Sequence, residues 1–129
     1  MKNRKYEITN NTMDFEGRKL YRIRALKNFA DIEAGDLGGW VSNENNLSQE
    51  GCCWIYDEAK CMDNAKMYDN SRMCDSSEMR DSSEMHGNSA MHDYSRMHGN
   101  SKMYGNREMH DYSRIHGNSK MHDYSEMHD

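Results

Sequence analysis

A six-residue period governs more than half of this chain. Twelve consecutive hexapeptides run without a break over residues 55–126, and each reads large-x-(Gly/Asp)-polar-small-x, with tyrosine sometimes in the polar slot. Residues 67–72 (MYDNSR) and 115–120 (IHGNSK) are two examples. A short repeat of fixed length predicts a solenoid, in which each repeat packs on its neighbours along the chain.

The spacing inside one repeat predicts its conformation. The small residue lies two positions before the next large residue, as in Ser71 and Met73. Side chains alternate between the two faces of a strand, so both point inward and Arg72 between them points outward. The Gly or Asp and the polar residue after it favour a corner, because such residues tolerate turn conformations. A helix is not favoured, because a period of six matches neither 3.6 nor 7 residues.

One hexapeptide is therefore one short strand and one corner. Three corners close a triangle, so eighteen residues make one coil and the twelve repeats make about four coils. The predicted fold is an all-β solenoid with parallel strands stacked from coil to coil.

The repeat resembles that of left-handed parallel β-helix proteins, and the left hand is implied by this resemblance alone. The front of the chain is similar to the YdcK-like hexapeptide-repeat proteins of bacteria and their prophages. The segments that match are Tyr21-Arg22-Ile23-Arg24-Ala25-Leu26, Gly35-Asp36-Leu37-Gly38-Gly39-Trp40, Asn46-Leu47-Ser48-Gln49-Glu50-Gly51 and Trp54-Ile55-Tyr56-Asp57. The chain departs from the usual pattern with Met where Val or Ile is common, Ser for Ala, and His for Tyr.

Residues 1–46 are predicted to form an N-terminal β cap with an entry segment, and residues 47–129 the solenoid. Strands are expected at residues 5–9, 14–15 and 20–26, and the glycines at 35, 38 and 39 should punctuate a turn-rich connection. The open end of a solenoid core needs covering. The expected plug is Phe15, Phe29, Trp40 and Trp54. An alternative use of the cap is a basic binding face made by Arg18, Lys19, Arg22, Arg24 and Lys27.

Charge and composition exclude several classes of function. The first 30 residues carry a net charge of +5 and the rest of the chain carries −10. This charge distribution does not resemble that of a nucleic-acid-binding surface. Neither a signal peptide nor a segment of transmembrane length is present, so we expect a cytoplasmic protein without a membrane partner. The four cysteines form no CxxC pair, which indicates reduced thiols rather than a zinc site.

The methionine and histidine side chains recur in columns and are possible metal ligands. Ten of the 13 methionines take the inward slot, which favours core packing over Cu(I) binding. The histidines fall in the outward slot after them, and residues eighteen apart share a face. We interpret these columns as a repeated surface and expect no cofactor or dedicated metal site. The candidates, if an ion binds, are His92, His110 and His128.

Arg107 breaks the pattern, because it takes an inward slot that is otherwise Ser or Ala. A buried, unpaired guanidinium is costly. Either its column neighbours Ser89 and Ser125 give it room, or a local bulge directs it outward. Arg107 is therefore a candidate contact for a partner.

The sequence favours a non-catalytic scaffold or interaction protein. Hexapeptide acyltransferases usually carry a catalytic His on a loop extruded from the coils, and these repeats contain no insertion. The last coil has no capping segment, so we expect a homo-oligomer formed through it. The residues expected at that contact are Met121, His122, Met127 and His128. Two alternatives stay open: a prophage-type inhibitor or adaptor that binds a host protein, and a relative of the hexapeptide acyltransferases.

Overall fold

The computed structural model describes residues 4–115 together with the backbones of two later strands, Lys120–Met121 and Glu126–Met127. Three strands precede the repeats: β1 (Tyr6–Phe15), β2 (Arg18–Ala25) and β3 (Leu37–Val41), with a 3-10 turn at Glu44–Asn46. The strands of the repeats are β4 (Trp54–Ile55), β5 (Lys60–Cys61), β6 (Lys66–Met67), β7 (Arg72–Met73), β8 (Glu78–Met79), β9 (Glu84–Met85), β10 (Ala90–Met91), β11 (Arg96–Met97), β12 (Lys102–Met103), β13 (Glu108–Met109), β14 (Arg114–Ile115), β15 (Lys120–Met121) and β16 (Glu126–Met127).

The repeat strands stack into three parallel sheets, which are the faces of the solenoid. Face 1 contains β5, β8, β11 and β14, face 2 contains β4, β7, β10, β13 and β16, and face 3 contains β6, β9, β12 and β15. Paired residues are eighteen apart, as in Lys60 beside Glu78. The predicted all-β solenoid of about four coils is therefore confirmed.

The N-terminal segment extends face 1. β1 and β2 form an antiparallel hairpin, β2 pairs antiparallel with β3, and β3 pairs in parallel with β5. The same sheet thus runs from the hairpin into the repeats, across the boundary proposed between residues 46 and 47. No helix in the part of the chain that the structure describes is long and apolar enough to cross a membrane.

The aromatic residues of the cap form two clusters. Trp54 is buried at the end of the main core, where the Phe29 ring packs edge-on against it at 5.2 Å. Trp40 belongs to a separate cluster with Leu20 and Met62, against which Phe15 packs. The aromatic plug expected from the sequence is thus divided between the end of the core and the outer side of face 1.

The cap also buries a lysine. The Lys5 amine donates to the carbonyl of Cys53 at 2.8 Å and lies 5.3 Å from the centre of the Phe29 ring. Burial lowers the pKa of this amine. The carbonyl oxygens replace part of the hydration that the amine loses.

The basic residues of β2 form ion pairs within the chain. Arg18 donates to Asp63 at 2.8 Å, and Arg22 pairs with Glu58 at 3.0 Å. Arg24 pairs with Glu7 on the neighbouring strand. These contacts favour a structural role for the basic strand over the alternative of a binding face.

The core of the repeats is a stack of methionine side chains. Those fully buried are Met67, Met73, Met79, Met85, Met91, Met97, Met103 and Met109. The serines of the small slot are buried too, and each hydroxyl donates to the carbonyl three residues earlier, across a corner. These serines are Ser71, Ser77, Ser83, Ser89, Ser95, Ser101 and Ser113. The predicted inward phase is confirmed. The hydroxyls add a hydrogen bond to corner carbonyls, most of which also accept the backbone N–H of the same serine.

Aspartates at the corners join one coil to the next. Their backbones have positive φ, near 60° at Asp75 and Asp93, a conformation that Asp tolerates better than most residues. The Asp75 carboxylate accepts from the N–H of Asp93, and Asp93 accepts from the N–H of Asp111, at 2.8 and 2.9 Å. The same bond runs from Asp57, Asp63, Asp69 and Asp81 to the corner eighteen residues later. Each of these six aspartates thus permits the turn and also bonds the following coil.

Candidate functional site

The outward side chains stand in ladders along each face. Two outer positions flank the buried methionine of each strand, one before it and one after it, and equivalent positions in successive coils are neighbours. On face 3, the ring of His86 lies between Tyr68 and Tyr104, with centroids 4.8 and 4.9 Å apart. The Nε2 of His86 is 2.9 Å from a carboxylate oxygen of Glu84 on the same strand. These stacked contacts leave the histidine half-buried rather than fully exposed.

Face 2 brings two histidines and a glutamate together. His92 and His110 follow β10 and β13, and their rings stack with centroids 4.7 Å apart and planes inclined by 2°. One Glu108 carboxylate oxygen lies 3.0 Å from the Nε2 of His110 and 3.7 Å from the Nε2 of His92. We call His92, Glu108 and His110 the His–Glu cluster.

Burial is the main influence on the protonation of His92. It lowers the pKa of that imidazole, and the neighbouring His110 lowers it further, while Glu108 acts in the opposite direction. The neutral form of His92 is therefore favoured relative to an exposed histidine. A neutral imidazole has one nitrogen lone pair free to accept a hydrogen bond or to ligate a metal.

Face 1 carries a basic cluster that consists mainly of arginine side chains. Arg80, Arg96, His98 and Arg114 line a cavity of about 140 Å³. The Arg80 guanidinium donates to Glu78 on face 1 at 2.6 Å and to Glu16 of the hairpin turn at 2.9 Å. Carboxylates therefore already neutralise part of this group.

A larger cavity of about 390 Å³ lies where the cap meets face 2. Its lining residues are Ala30, Cys52, Tyr56, Asn70, Arg72 and Asn88. The Tyr56 hydroxyl donates to Asp31 at 2.7 Å at this place. The lining includes one ionisable thiol and one guanidinium, with no carboxylate, among the described residues.

Arg107 is half-buried and its Nε lies beneath the surface. β13 keeps its regular pairing with β10, so the bulge considered for this position is not observed. The backbone carbonyl of Arg107 accepts from the N–H of Ala90 at 2.9 Å, as the equivalent serines do in other coils. Its role as a partner contact stays a prediction.

The remaining residues predicted at the C-terminal contact are at the limit of the described chain. Met121 and Met127 lie in β15 and β16, whose backbones pair with β12 and β13. His122 and His128 lie outside the described residues. Of the three histidines named as metal candidates, the structure therefore places His92 and His110 side by side.

Sequence reasoning missed Glu108. The signal was present, because Glu108 and His110 are two residues apart on one strand and must point to the same side. The sequence pattern predicts turn-forming corner aspartates, and Asp also recurs every eighteen residues at 57, 75, 93 and 111. That recurrence was the available sign of a bond between coils.

Comparison with known proteins adds one partial match. A stretch of 39 residues, 30% of the chain, is 51% identical to a protein named uncharacterized acetyltransferase YdcK from Escherichia coli (strain K12). The predicted resemblance to YdcK-like hexapeptide-repeat proteins is confirmed. The stretch spans 12% of YdcK, so YdcK as a whole is much longer than the region that the two chains share. No protein-family model matches the chain.

Proposed function

We propose that the chain is a non-catalytic scaffold that associates with a second copy of itself through the strands of its last coil. The observation that carries this proposal is the uninterrupted succession of strands, one every six residues, from β4 to β14. Strands of the described repeats pair in parallel with the strand eighteen residues away, so a further strand added at the end of the stack can continue it.

The connections between strands support the non-catalytic part of the proposal. Four residues separate β4 from β5, and the same number separates each later strand of the described repeats from the next. These corners are filled by hydrogen bonds between coils and do not project as loops. An enzyme pocket usually needs a concave site with convergent polar groups.

The last coil has features that favour pairing with another strand edge. β14, β15 and β16 each occupy the end of their sheet in the described chain. In earlier coils the first residue of a strand donates its N–H to the next coil, as Lys66 does to Ser83 at 3.0 Å. By the same register, the N–H groups of Lys120 and Glu126 would be directed toward the position of a further strand. A second chain can accept these hydrogen bonds.

The charge pattern identifies a second copy as a suitable occupant. Face 1 alternates in sign from Lys60 through Glu78 to Arg96, but Arg114 then lies directly beside Arg96. Like charges are also neighbours on the other two faces, where Lys120 pairs with Lys102 on face 3 and Glu126 pairs with Glu108 on face 2. Like charges directly opposite each other are unfavourable. Consider two copies that meet end to end and are related by a two-fold axis perpendicular to the solenoid axis. Such an axis places face 1 of one copy against face 2 of the other. The basic edge of face 1, at Arg114, can then meet the acidic edge of face 2, at Glu126.

Sedimentation velocity tests the association. The wild-type chain is expected to sediment as a dimer at tens of micromolar. The double variant with Lys120→Pro and Glu126→Pro should be monomeric, because proline removes the N–H groups directed at the partner. The matched control, Lys120→Ala with Glu126→Ala, keeps those N–H groups and should retain most of the association. A monomeric wild type, or prolines without effect, contradicts the proposal.

An acyl-transfer activity is the second candidate, favoured by the word acetyltransferase in the name of YdcK. Incubation with acetyl-CoA and a panel of amine and hydroxyl acceptors, with release of the CoA thiol as the readout, separates the two candidates. We expect release no faster than in a blank without protein. Acceptor-dependent release that scales with protein concentration would replace the scaffold proposal with an enzyme. We place either function in the cytoplasm, where the four free cysteines stay reduced.

A further inference from the structure

The His–Glu cluster combines three donor atoms of a kind that transition metals prefer. One ring nitrogen from each of His92 and His110 and one carboxylate oxygen of Glu108 all lie within 4.8 Å of one another. Imidazole nitrogen together with carboxylate oxygen is a common ligand set for divalent zinc. All three side chains are half-buried on face 2 and therefore reachable from solvent.

The spacing of the donors is close to what an ion requires. With ligand bonds of about 2.1 Å, the donors of a tetrahedral zinc site lie about 3.4 Å apart. The oxygen of Glu108 is 3.0 Å from one Nε2 and 3.7 Å from the other, which brackets that spacing. The two rings are parallel, so binding requires each to tilt toward the ion about its own side-chain bonds.

Glu108 differs from the other glutamates of the ladders in its neighbours. Glu78 has Lys60 on one side and Arg96 on the other. Glu108 instead has Ala90 on one side and Glu126 on the other. Its neighbours in its own column therefore supply no positive charge to its carboxylate. A bound cation would supply the charge that lysine and arginine supply in the other columns.

The cluster favours nitrogen and oxygen ligation over thiolate ligation. The next residue in the histidine column is Cys74, whose N–H donates to the carbonyl of Met91 beside His92. The sulfur of Cys74 is not among the donor atoms that lie within 4.8 Å of one another. The donor set is thus two imidazoles and one carboxylate, which suits Zn²⁺, Ni²⁺ or Co²⁺ better than Cu(I).

We propose that His92, His110 and Glu108 form a binding site for one divalent transition-metal ion, with Zn²⁺ as its representative, and with water completing the coordination. The proposed site departs from the expectation, drawn from the sequence, that the histidine columns are only a repeated surface. His128 continues the column, lies outside the described residues, and is not required by the three-donor arrangement.

Isothermal titration of the metal-free chain with Zn²⁺ tests the site. We expect one ion per chain with a Kd in the micromolar range. His92→Ala, His110→Ala and Glu108→Gln should each weaken binding about tenfold or more, because each removes one of three ligands. His86→Ala is the matched control, since His86 has the same hydrogen bond to a glutamate but stacks between tyrosines. Its affinity should remain within about twofold of the wild type.

A second measurement keeps the test independent of folding defects. Co²⁺ bound by imidazole and carboxylate gives visible absorption bands that report its coordination. These bands should appear in the wild type and in His86→Ala, and disappear in His92→Ala, while the circular dichroism spectra of all three metal-free chains agree. Absence of saturable binding, or equal loss of binding in His86→Ala and His92→Ala, overturns the proposal and leaves an adventitious ion only.

Discussion

At the scale of single residues, the corner aspartates do two things at once. They adopt positive φ at a cost lower than that of most side chains, and they accept an N–H from the next coil. Glycine takes the same corner position at Gly87, Gly99 and Gly105. It relieves the backbone strain but supplies no carboxylate for the following coil. Asp is therefore the residue that makes a corner also a link between coils.

Variants at Asp75 separate these two contributions. Asp75→Ala loses the bond to the N–H of Asp93 and introduces a side chain that tolerates positive φ poorly, and we expect a loss of about 1–2 kcal/mol in the free energy of unfolding. Asp75→Asn keeps an acceptor and tolerates the conformation, so its loss should be below about 1 kcal/mol. Urea denaturation followed by circular dichroism measures both. Equal losses for the two variants would show that the side-chain acceptor contributes little.

At the scale of elements, the stacked histidines of face 2 interact electrostatically with charged residues on neighbouring coils. His92 faces His110 and Glu108 on the coil above it, and Arg72 and Asp75 on the coil below. Burial and the second imidazole disfavour the charged form of His92 in the folded chain. The histidine column therefore links the stacking of coils to pH.

The sign of this pH effect follows from linkage. The pKa of His92 is lower in the folded chain than its ordinary value of 6.5, so the unfolded chain binds more protons between the two values. The contribution of His92 to stability is present above pH 6.5 and is lost as the pH falls below that value. We expect the fall in melting temperature between about pH 7.5 and 5.5 to be smaller in His92→Gln than in the wild type.

The comparison needs a reference that lacks a different histidine and keeps the same acidic groups. His86→Gln provides it, because it removes a histidine whose ring neighbours are tyrosines. Metal-free protein should be used for all three chains. If His92→Gln and the wild type lose stability in parallel as the pH falls, the stacked imidazoles are not the source of the effect.

At the scale of the whole molecule, the ladders of charge distinguish the last coil from the others. On faces 1 and 3 the charges alternate in sign from coil to coil, and such cross-strand pairs are favourable. In the last coil, the first residue of each strand has the same sign of charge as its neighbour in the coil before it, on all three faces. We therefore expect the stability of the single chain and the proposed affinity for a second copy to depend in opposite ways on the same residues.

The variant Arg114→Glu should change the stability of the single chain and its association in opposite directions. It restores the alternation on face 1 by placing a carboxylate beside Arg96, and the melting temperature of the dilute monomer should rise by about 1–3 °C at low salt. The same change should weaken association, because it removes the basic partner proposed for the acidic edge of face 2. The gain in melting temperature should disappear near 1 M salt. Arg114→Gln, which removes the charge without reversing it, should give about half of each effect, and a rise in both stability and association would contradict the proposed interface.

The sequence by itself determined the period, the inward phase and the eighteen-residue coil. These follow from local rules, because a strand alternates its faces and the large, small and turn-forming residues return at one spacing. Met85 could be placed inside and His92 outside from that spacing alone, and both are so placed. The left hand of the coil, implied only by resemblance, stays a prediction.

The tertiary structure alone decided which side chains meet between coils and at the cap. Gly38 and Gly39 were expected in a turn-rich connection, but they lie in β3, where a Cβ on Gly39 would come within 2.4 Å of the Ala59 carbonyl oxygen. Lys5 is buried beneath the cap, although its sequence neighbours are polar and charged. Glu108 meets His92 only because their strands are neighbours eighteen residues apart. These contacts depend on distances across the folded chain, and a local pattern states which face a residue occupies but not which partner it contacts there.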